Sequence, residues 1–284
     1  MKLKQRLGMT NRHLAVIGAA VLALLITSPT PASVIFEDTF SGTELDTSKW
    51  THTAGKGTVS FTVGGDTLNM VSEYEVDAPD ARIGTDFNAD FNFYDQELSF
   101  ELSDVVWNDT TPNNDHRHQR VFFWLADKQS YRDKMTSVGM LIERGYGNAA
   151  SIEPRVTFGY YTSTTTSGWF YNTKLIDEQA AGFEAPDGLD LVRMTLSASS
   201  FTVRIEAGAN SKEWTGSLTG LSESAWSDSP ALLVGNFSAT GAENETDNDF
   251  GSVTVTVIPE PSALALLGLS TLALMAVRRA RRKI

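Results

Sequence analysis

The first residues in this chain whose types and spacing could do chemistry are two glutamates on one predicted strand. Glu97 and Glu101 stand four residues apart in Glu97-Leu98-Ser99-Phe100-Glu101. Strand side chains alternate between faces, so both point the same way. Paired carboxylates flanking a glycosidic bond are the machinery of glycoside hydrolysis. On a straight strand, however, their Cα atoms lie ~13 Å apart, and a retaining mechanism needs carboxyl groups ~5 Å apart. The pair reads better as solvated glutamates on an outer strand face. No other acidic pair stands at comparable spacing, so no catalytic residue is assigned and the chain is expected not to be an enzyme.

His116 and His118, around Arg117 and after Asp115, could place two imidazoles on one side of an extended segment. A metal site would need a further ligand from elsewhere. The preceding Thr110-Thr111-Pro112-Asn113-Asn114 has a loop composition, which favours an exposed polar loop. Cysteine is absent, which removes disulfides, thiol catalysis and cysteine-metal sites. No Ser-His-Asp spacing stands out. The best binding candidate is the segment from Tyr160 to Tyr171, where Tyr160, Tyr161, Trp169 and Tyr171 flank a run rich in Thr and Ser. Ring faces can stack on sugar C–H surfaces while the hydroxyls hydrogen-bond. Packing in a core or at a sheet edge is the alternative for the same rings. Trp107 and Trp124 read as core.

Strands must position these groups. Two β-rich runs, Thr58–Val63 and Thr67–Val71, flank Gly64-Gly65-Asp66 and predict a hairpin. From Gln96 to Leu102, Leu98, Phe100 and Leu102 alternate with polar residues, as in a half-buried strand. Val121 to Leu125 is continuously apolar and predicts a strand buried on both faces. Further strands are expected at 138–142, 155–161 and 232–237. A second hairpin is expected at 191–196 with 201–205, and a closing strand at 250–257. Leu221 to Trp226 could form at most a short helical turn. Many short strands with Gly, Ser, Asn and Asp turns point to an all-β, antiparallel two-sheet β-sandwich.

The two ends differ from the middle. Met1 to Arg12 carries four basic residues and no acid, Leu14 to Ile26 is apolar, and Thr30-Pro31-Ala32 supplies small residues. This pattern predicts a signal helix at 1–32, cleaved after Ala32 by signal peptidase; an uncleaved anchor is the alternative. At the other end, Pro259-Glu260-Pro261 interrupts a strand pattern, because proline lacks the amide donor. An uncharged apolar run, 262–277, then predicts a transmembrane helix. It is short of the ~20 residues of a typical span. Arg278, Arg279, Arg281, Arg282 and Lys283 follow, a cluster that stays on the cytoplasmic side. Without these ends, residues 33–258 hold 14 basic and 34 acidic residues, a net charge of −20. That field repels phosphate backbones and excludes nucleic acid as a partner.

The order Pro-Glu-Pro, apolar helix and arginine cluster resembles the PEP-CTERM sorting signal, placed at 258–284. The resemblance implies processing near Pro259, Glu260 and Pro261 by an exosortase, a membrane-embedded cysteine transpeptidase. A plain C-terminal anchor is the alternative. The resemblance further implies transient residence in the inner membrane, then the cell envelope or the extracellular polysaccharide matrix. A second resemblance covers the ends of the middle domain, 33–257. Glu37-Asp38-Thr39-Phe40-Ser41-Gly42 with Leu45-Asp46-Thr47-Ser48-Lys49-Trp50 is similar to the start of concanavalin-A-like jelly rolls. Asp247 to Val255 is similar to their last strand, which returns beside the first. Laminarinase-type glucanases and laminin-G-like domains belong to that group. The glucanase motif Glu-x-Asp-x-Glu has Ser99 at its centre here, which argues against hydrolysis. Jelly-roll carbohydrate-binding domains often tie first and last strands with a structural calcium, and Asp38 and Asp249 hold the matching places. The expectation is an exported, non-catalytic sandwich that binds extracellular polysaccharide. The alternatives are a divergent laminarinase-type glycoside hydrolase and a purely structural matrix protein.

Overall fold

The computed structural model describes residues 32–56, 58–72, 80–108, 119–127, 136–144, 152–162, 173–226, 229–237 and 246–259. The signal and transmembrane helices expected at the two ends lie outside these residues. Among the described residues no helix is long and apolar enough to cross a membrane. Ser33–Val257 forms one compact unit.

That unit is a sandwich of two antiparallel sheets. The first has nine strands, and its main path runs β13 (Asn210–Ser217), β12 (Ser200–Ala207), β11 (Gly188–Leu196), β6 (Glu97–Trp107), β15 (Thr246–Phe250), β4 (Thr67–Ser72), β3 (Val59–Gly64). Off this path, β16 (Ser252–Ile258) lies beside β6 and carries β1 (Ser33–Asp38) on its other edge. The second sheet runs β10 (Thr173–Gln179), β9 (Arg155–Tyr161), β8 (Ser137–Arg144), β7 (Gln119–Ala126), β14 (Ala231–Phe237), β5 (Asp80–Thr85), β2 (Trp50–Lys56). The last strand does return beside the first, with Ser33 opposite Val257 and Asp38 opposite Val253.

Local chemistry explains the elements. Gly65 and Asp66 both take positive φ, 63° and 62°, so the β3–β4 hairpin closes through a turn whose twist matches its strands. Leu98, Phe100 and Leu102 enter the core between the sheets, joined by Val192, Met194, Val203, Phe123, Met140, Phe158 and Val234. Asp104, at φ 50°, breaks the alternation of β6: Ser103 and Asp104 both turn outward before Val105 and Trp107 resume the inward face. The chain beside it accommodates this kink with Gly251, whose amide bonds the Ser103 carbonyl at 3.0 Å. The closing strand expected at 250–257 is thereby split into β15 and β16.

Polar side chains also tie the sheets together, Asn248 through the Arg120 carbonyl at 3.4 Å and Asn236 more extensively. Asn236, on the inward face of β14, is fully buried. Its Nδ2 donates to the carbonyls of Met70 (2.7 Å) and Thr246 (3.2 Å) in the opposite sheet, and its Oδ1 accepts from the Ala81 amide at 3.3 Å.

Candidate binding face

The two outward faces of the sandwich have different chemistry. On the nine-stranded sheet the register builds polar rows across β6, β11, β12 and β13. One is Ser99, Thr195, Thr202, Thr215; the next is Glu101, Arg193, Arg204, Glu213. Glu101 sits in this second row, where Arg193 Nε donates to its Oε1 at 2.8 Å and Ser99 Oγ at 3.3 Å. Half-buried Glu97 is four residues, two strand repeats, away on the same side. This is a solvated face with paired charges, as expected for the two glutamates.

The seven-stranded sheet differs: the outward residues of its central strands are buried as well. Val121, Phe123 and Leu125 of β7 enter the core, and alternation sends Phe122, Trp124 and Ala126 to the other side, where they too are buried. The sheet makes room for them with glycine. Gly235 lies directly opposite Phe122, and Gly139 directly opposite Trp124. A Cβ added to either glycine would collide with the facing ring, so both rings lie against bare backbone. Leu233 covers Gly84 in the same way, at 2.7 Å from a notional Cβ. The Phe122 and Trp124 rings stand 4.9 Å apart at 30°. Leu141 and Tyr161 continue this apolar patch.

A row of alternating charge borders it. The register aligns Arg120, Glu143 and Arg155 across β7, β8 and β9. Arg120 Nε reaches Glu143 Oε1 at 2.6 Å, and Arg155 Nε donates to Asp177 Oδ1 at 2.8 Å. Lys174 Nζ holds the other oxygen of Asp177 at 2.9 Å. Burial raises the pKa of Asp177, but the hydrogen bonds from Lys174 and Arg155 outweigh it and leave the carboxyl below its ordinary value. Chemically, the face holds two tilted, buried rings beside fixed donors and acceptors.

His52 lies at the far edge of this face, in β2 opposite Gly84. Its Nε2 is buried with no hydrogen-bond partner among the described residues. Burial, reinforced by the positive charge of Arg82, lowers its pKa. The unfolded chain therefore takes up this proton more readily, near pH 6.5. His52 contributes stability above that pH, and the contribution is lost as pH falls toward the folded-state pKa. Denaturant unfolding of His52→Gln at pH 5 and pH 7 should show a smaller pH difference than the parent chain.

The other expected site residues fall as follows. Tyr160 is drawn into the core, and its hydroxyl donates to the Thr219 carbonyl at 3.4 Å. Its neighbour Tyr161 takes the opposite, outward face. Trp169, Tyr171, His116 and His118 lie outside the described residues, as do Glu260, Pro261 and the arginine cluster; Pro259 is the last residue described. Trp107 is core as expected. Trp124 is buried but belongs to the outward face, a correction to its expected core position. Asp38 is occupied by protein donors: the Phe40 amide at 3.1 Å, Lys49 Nζ at 3.4 Å and the Trp50 indole N–H. Asp249 shares the Asn69 amide with Asp247, at 2.8 and 2.6 Å. The strands do not bring the two aspartates together. Asp38 lies opposite Val253 of β16, whereas Asp249 lies on β15 opposite Asn69. Among the described residues no three carboxylate or imidazole side chains gather in a group that could hold a metal. Sequence reasoning missed Phe122, Trp124, Glu143 and Asp177. The glycines facing the two rings were the available signal, but it becomes legible only once the register is known.

Residues 257–282 match the PEP-CTERM protein-sorting motif. The motif implies an exported, membrane-transited protein with exosortase as its processing partner. No curated protein matches the chain in sequence. Among solved structures it is similar to the CBM2 module of the evolved Dit of Lactobacillus casei BL23 phage J-1, with 11% identity and a TM-score of 0.51 over 81% of this chain and 98% of that one. It is also similar to lectin II from Ulex europaeus, with 14% identity and a TM-score of 0.49 over 81% and 99% of the two chains. A third is SCLam, a non-specific endo-β-1,3(4)-glucanase from family GH16, at 10% identity and a TM-score of 0.46 over 81% and 94%. At such identities the likeness is one of fold alone.

Proposed function

We infer that this exported, exosortase-processed protein serves in the cell envelope or extracellular matrix, where its sandwich binds polysaccharide without cleaving it. The observation that carries the reading is the outward face of the seven-stranded sheet. There Phe122 and Trp124 lie against glycine backbone beside the Arg120–Glu143 and Arg155–Asp177 pairs. Ring faces match the C–H surfaces of a pyranose, and the fixed charges match its hydroxyls. The pairing of Glu101 with Arg193 on the opposite side supports a non-catalytic role, because that carboxylate is engaged on a solvated face with no convergent partner.

Purified sandwich, residues 33–258, is assayed against a panel of soluble polysaccharides, with and without calcium. Phe122 and Trp124 are 1% exposed in the free protein, so stacking on a sugar requires that binding uncover them, and tryptophan emission should shift when it does. Trp124→Ala is expected to weaken binding of the recognised glycan about tenfold or more, as for loss of one stacking platform. Glu101→Gln leaves it unchanged. Cleavage of a bound glycan that disappears in Glu97→Gln or Glu101→Gln would instead establish a hydrolase. Absence of binding across the panel would leave a structural matrix protein. Calcium-dependent binding would restore the metal expected at Asp38 and Asp249.

A further inference from the structure

The two processing points of the chain meet on one pair of strands. The predicted signal-peptidase product begins at Ser33, the first residue of β1, and the sorting motif begins at Val257, near the end of β16. These two residues are register partners. β16 extends to Ile258, so the first two residues of the motif are part of the sheet, and Pro259 follows at once.

The β1–β16 ladder has two unequal parts, separated by a register shift between Val34 and Phe36. The inner part, Phe36 to Asp38, is pinned. The Phe36 ring meets Trp50 and Phe91 edge-on at 5.4 and 5.9 Å, and the Asp38 carboxylate holds the Trp50 indole. Opposite it, Val253 and Val255 are fully buried. The outer part is only Ser33 and Val34, facing Val257 and Thr256; Ser33 is exposed and Val34 is 54% exposed. This tip carries little buried surface, so it can open while the rest of the sandwich stays intact.

We propose that the tip of β1 is a latch at the start of the sorting motif: paired, Ser33 holds Val257 in the sheet, and released, the tip leaves Val257 and the residues after it as extended substrate for the processing enzyme. The inference rests on the exosortase reading of residues 257–282. A transpeptidase must bind its substrate backbone in its own site, and backbone already bonded on both sides in a sheet is not available to it. β16 pairs with β1 on one edge and β6 on the other, and β1 is the edge strand that can leave. Cleavage of the folded protein then follows the fraction of time the latch is open. Trimming at the N-terminus decides how much strand is left to close it. Loss of Ser33 and Val34 removes the latch, and the signal segment upstream lies directly against it in sequence.

The chain has no cysteine, so a single cross-strand disulfide can be introduced at the register pair Val34 and Thr256. The full-length double variant Val34→Cys/Thr256→Cys is incubated with membranes containing the exosortase, oxidised and reduced, with the bridge confirmed by mass. The oxidised form should be processed about tenfold or more slowly than the reduced form. A second variant inserts six Gly and Ser residues between Ile258 and Pro259, moving Pro-Glu-Pro away from the sheet. It should be processed faster than the parent, and in combination with the bridge it should no longer respond to reductant. Equal rates for the oxidised and reduced forms, or no gain from the insertion, would overturn the latch. No processing of the parent chain in membranes that process another sorting-signal protein would overturn the exosortase reading itself.

Discussion

Asn236→Leu should lower the unfolding free energy of the sandwich by about 3 kcal/mol, read as a drop in denaturant midpoint at unchanged slope. Leucine shares the branching and heavy-atom count of asparagine, though its methyl groups are bulkier, and it suits an apolar site, so hydrophobic burial alone would forecast a near-neutral change. The hydrogen bonds decide otherwise. Asn236 gives both of its amide protons to carbonyls of the opposite sheet, those of Met70 and Thr246, and accepts from Ala81 within its own. With leucine in place, two carbonyls and one amide lose a side-chain partner in a region where Asn236 is fully shielded from water. Each such loss costs about 1–3 kcal/mol, and the three are not additive because the groups keep some backbone bonding. Asn236→Asp tests the same point from the other side: it keeps the shape and one acceptor but puts a carboxylate against two carbonyls. It should be the more damaging variant at neutral pH and recover partly as pH falls and the acid protonates. A leucine variant within 1 kcal/mol of the parent would show that the Asn236 bonds add little to the packing between the sheets.

That tie could not be read from the sequence, where Asn236 is one residue in Leu232-Leu233-Val234-Gly235-Asn236-Phe237 and looks like the end of a strand. What could be read were the features set by neighbours in the chain. The β3–β4 and β11–β12 hairpins follow from their turn residues and β-rich flanks. The first and last strands pair as their resemblance to jelly rolls implied. Strands β2, β10 and β13 went unrecognised for one shared reason: each is the edge of its sheet. An edge strand tolerates charge and polar residues, as in Trp50 to Lys56, Thr173 to Gln179 and Asn210 to Ser217, so the alternation that marks a half-buried strand is lost. β5 was missed because Asp80 and Arg82 make it look like a turn, although it pairs on both sides with β14 and β2. The binding face was hidden differently. A continuous apolar run such as Val121 to Leu125 shows that both faces are buried but not which residue goes to which. Trp124 was therefore placed in the core, when only Val121, Phe123 and Leu125 go there.

The glycines on that face make the second large prediction. Gly139→Ala adds one methyl group, normally a stabilising change for a non-helical glycine because it restricts the unfolded chain. Here the new Cβ would meet Trp124 Cδ1 and the Phe123 carbonyl oxygen far inside contact distance, with Trp124 Cα at 2.7 Å. Trp124 cannot step aside as a long flexible chain would, because its ring packs on Phe122 and both are buried. The substitution should destabilise by about 2–3 kcal/mol, the cost of overpacking where backbone must shift. Gly65→Ala is the control for glycine chemistry: its notional Cβ meets nothing within 4 Å, and the cost there comes only from its φ of 63°. The decisive variant is the double change Gly139→Ala/Trp124→Ala. If the glycine exists to seat the ring, removing the ring relieves the clash, and the double variant should be more stable than the sum of the two single losses by about 1–2 kcal/mol. Strict additivity would mean that the clash with the Phe123 carbonyl dominates and that Gly139 serves the strand pairing. A positive coupling ties the glycine to the aromatic platform, and the same double variant should still have lost glycan binding despite its regained stability.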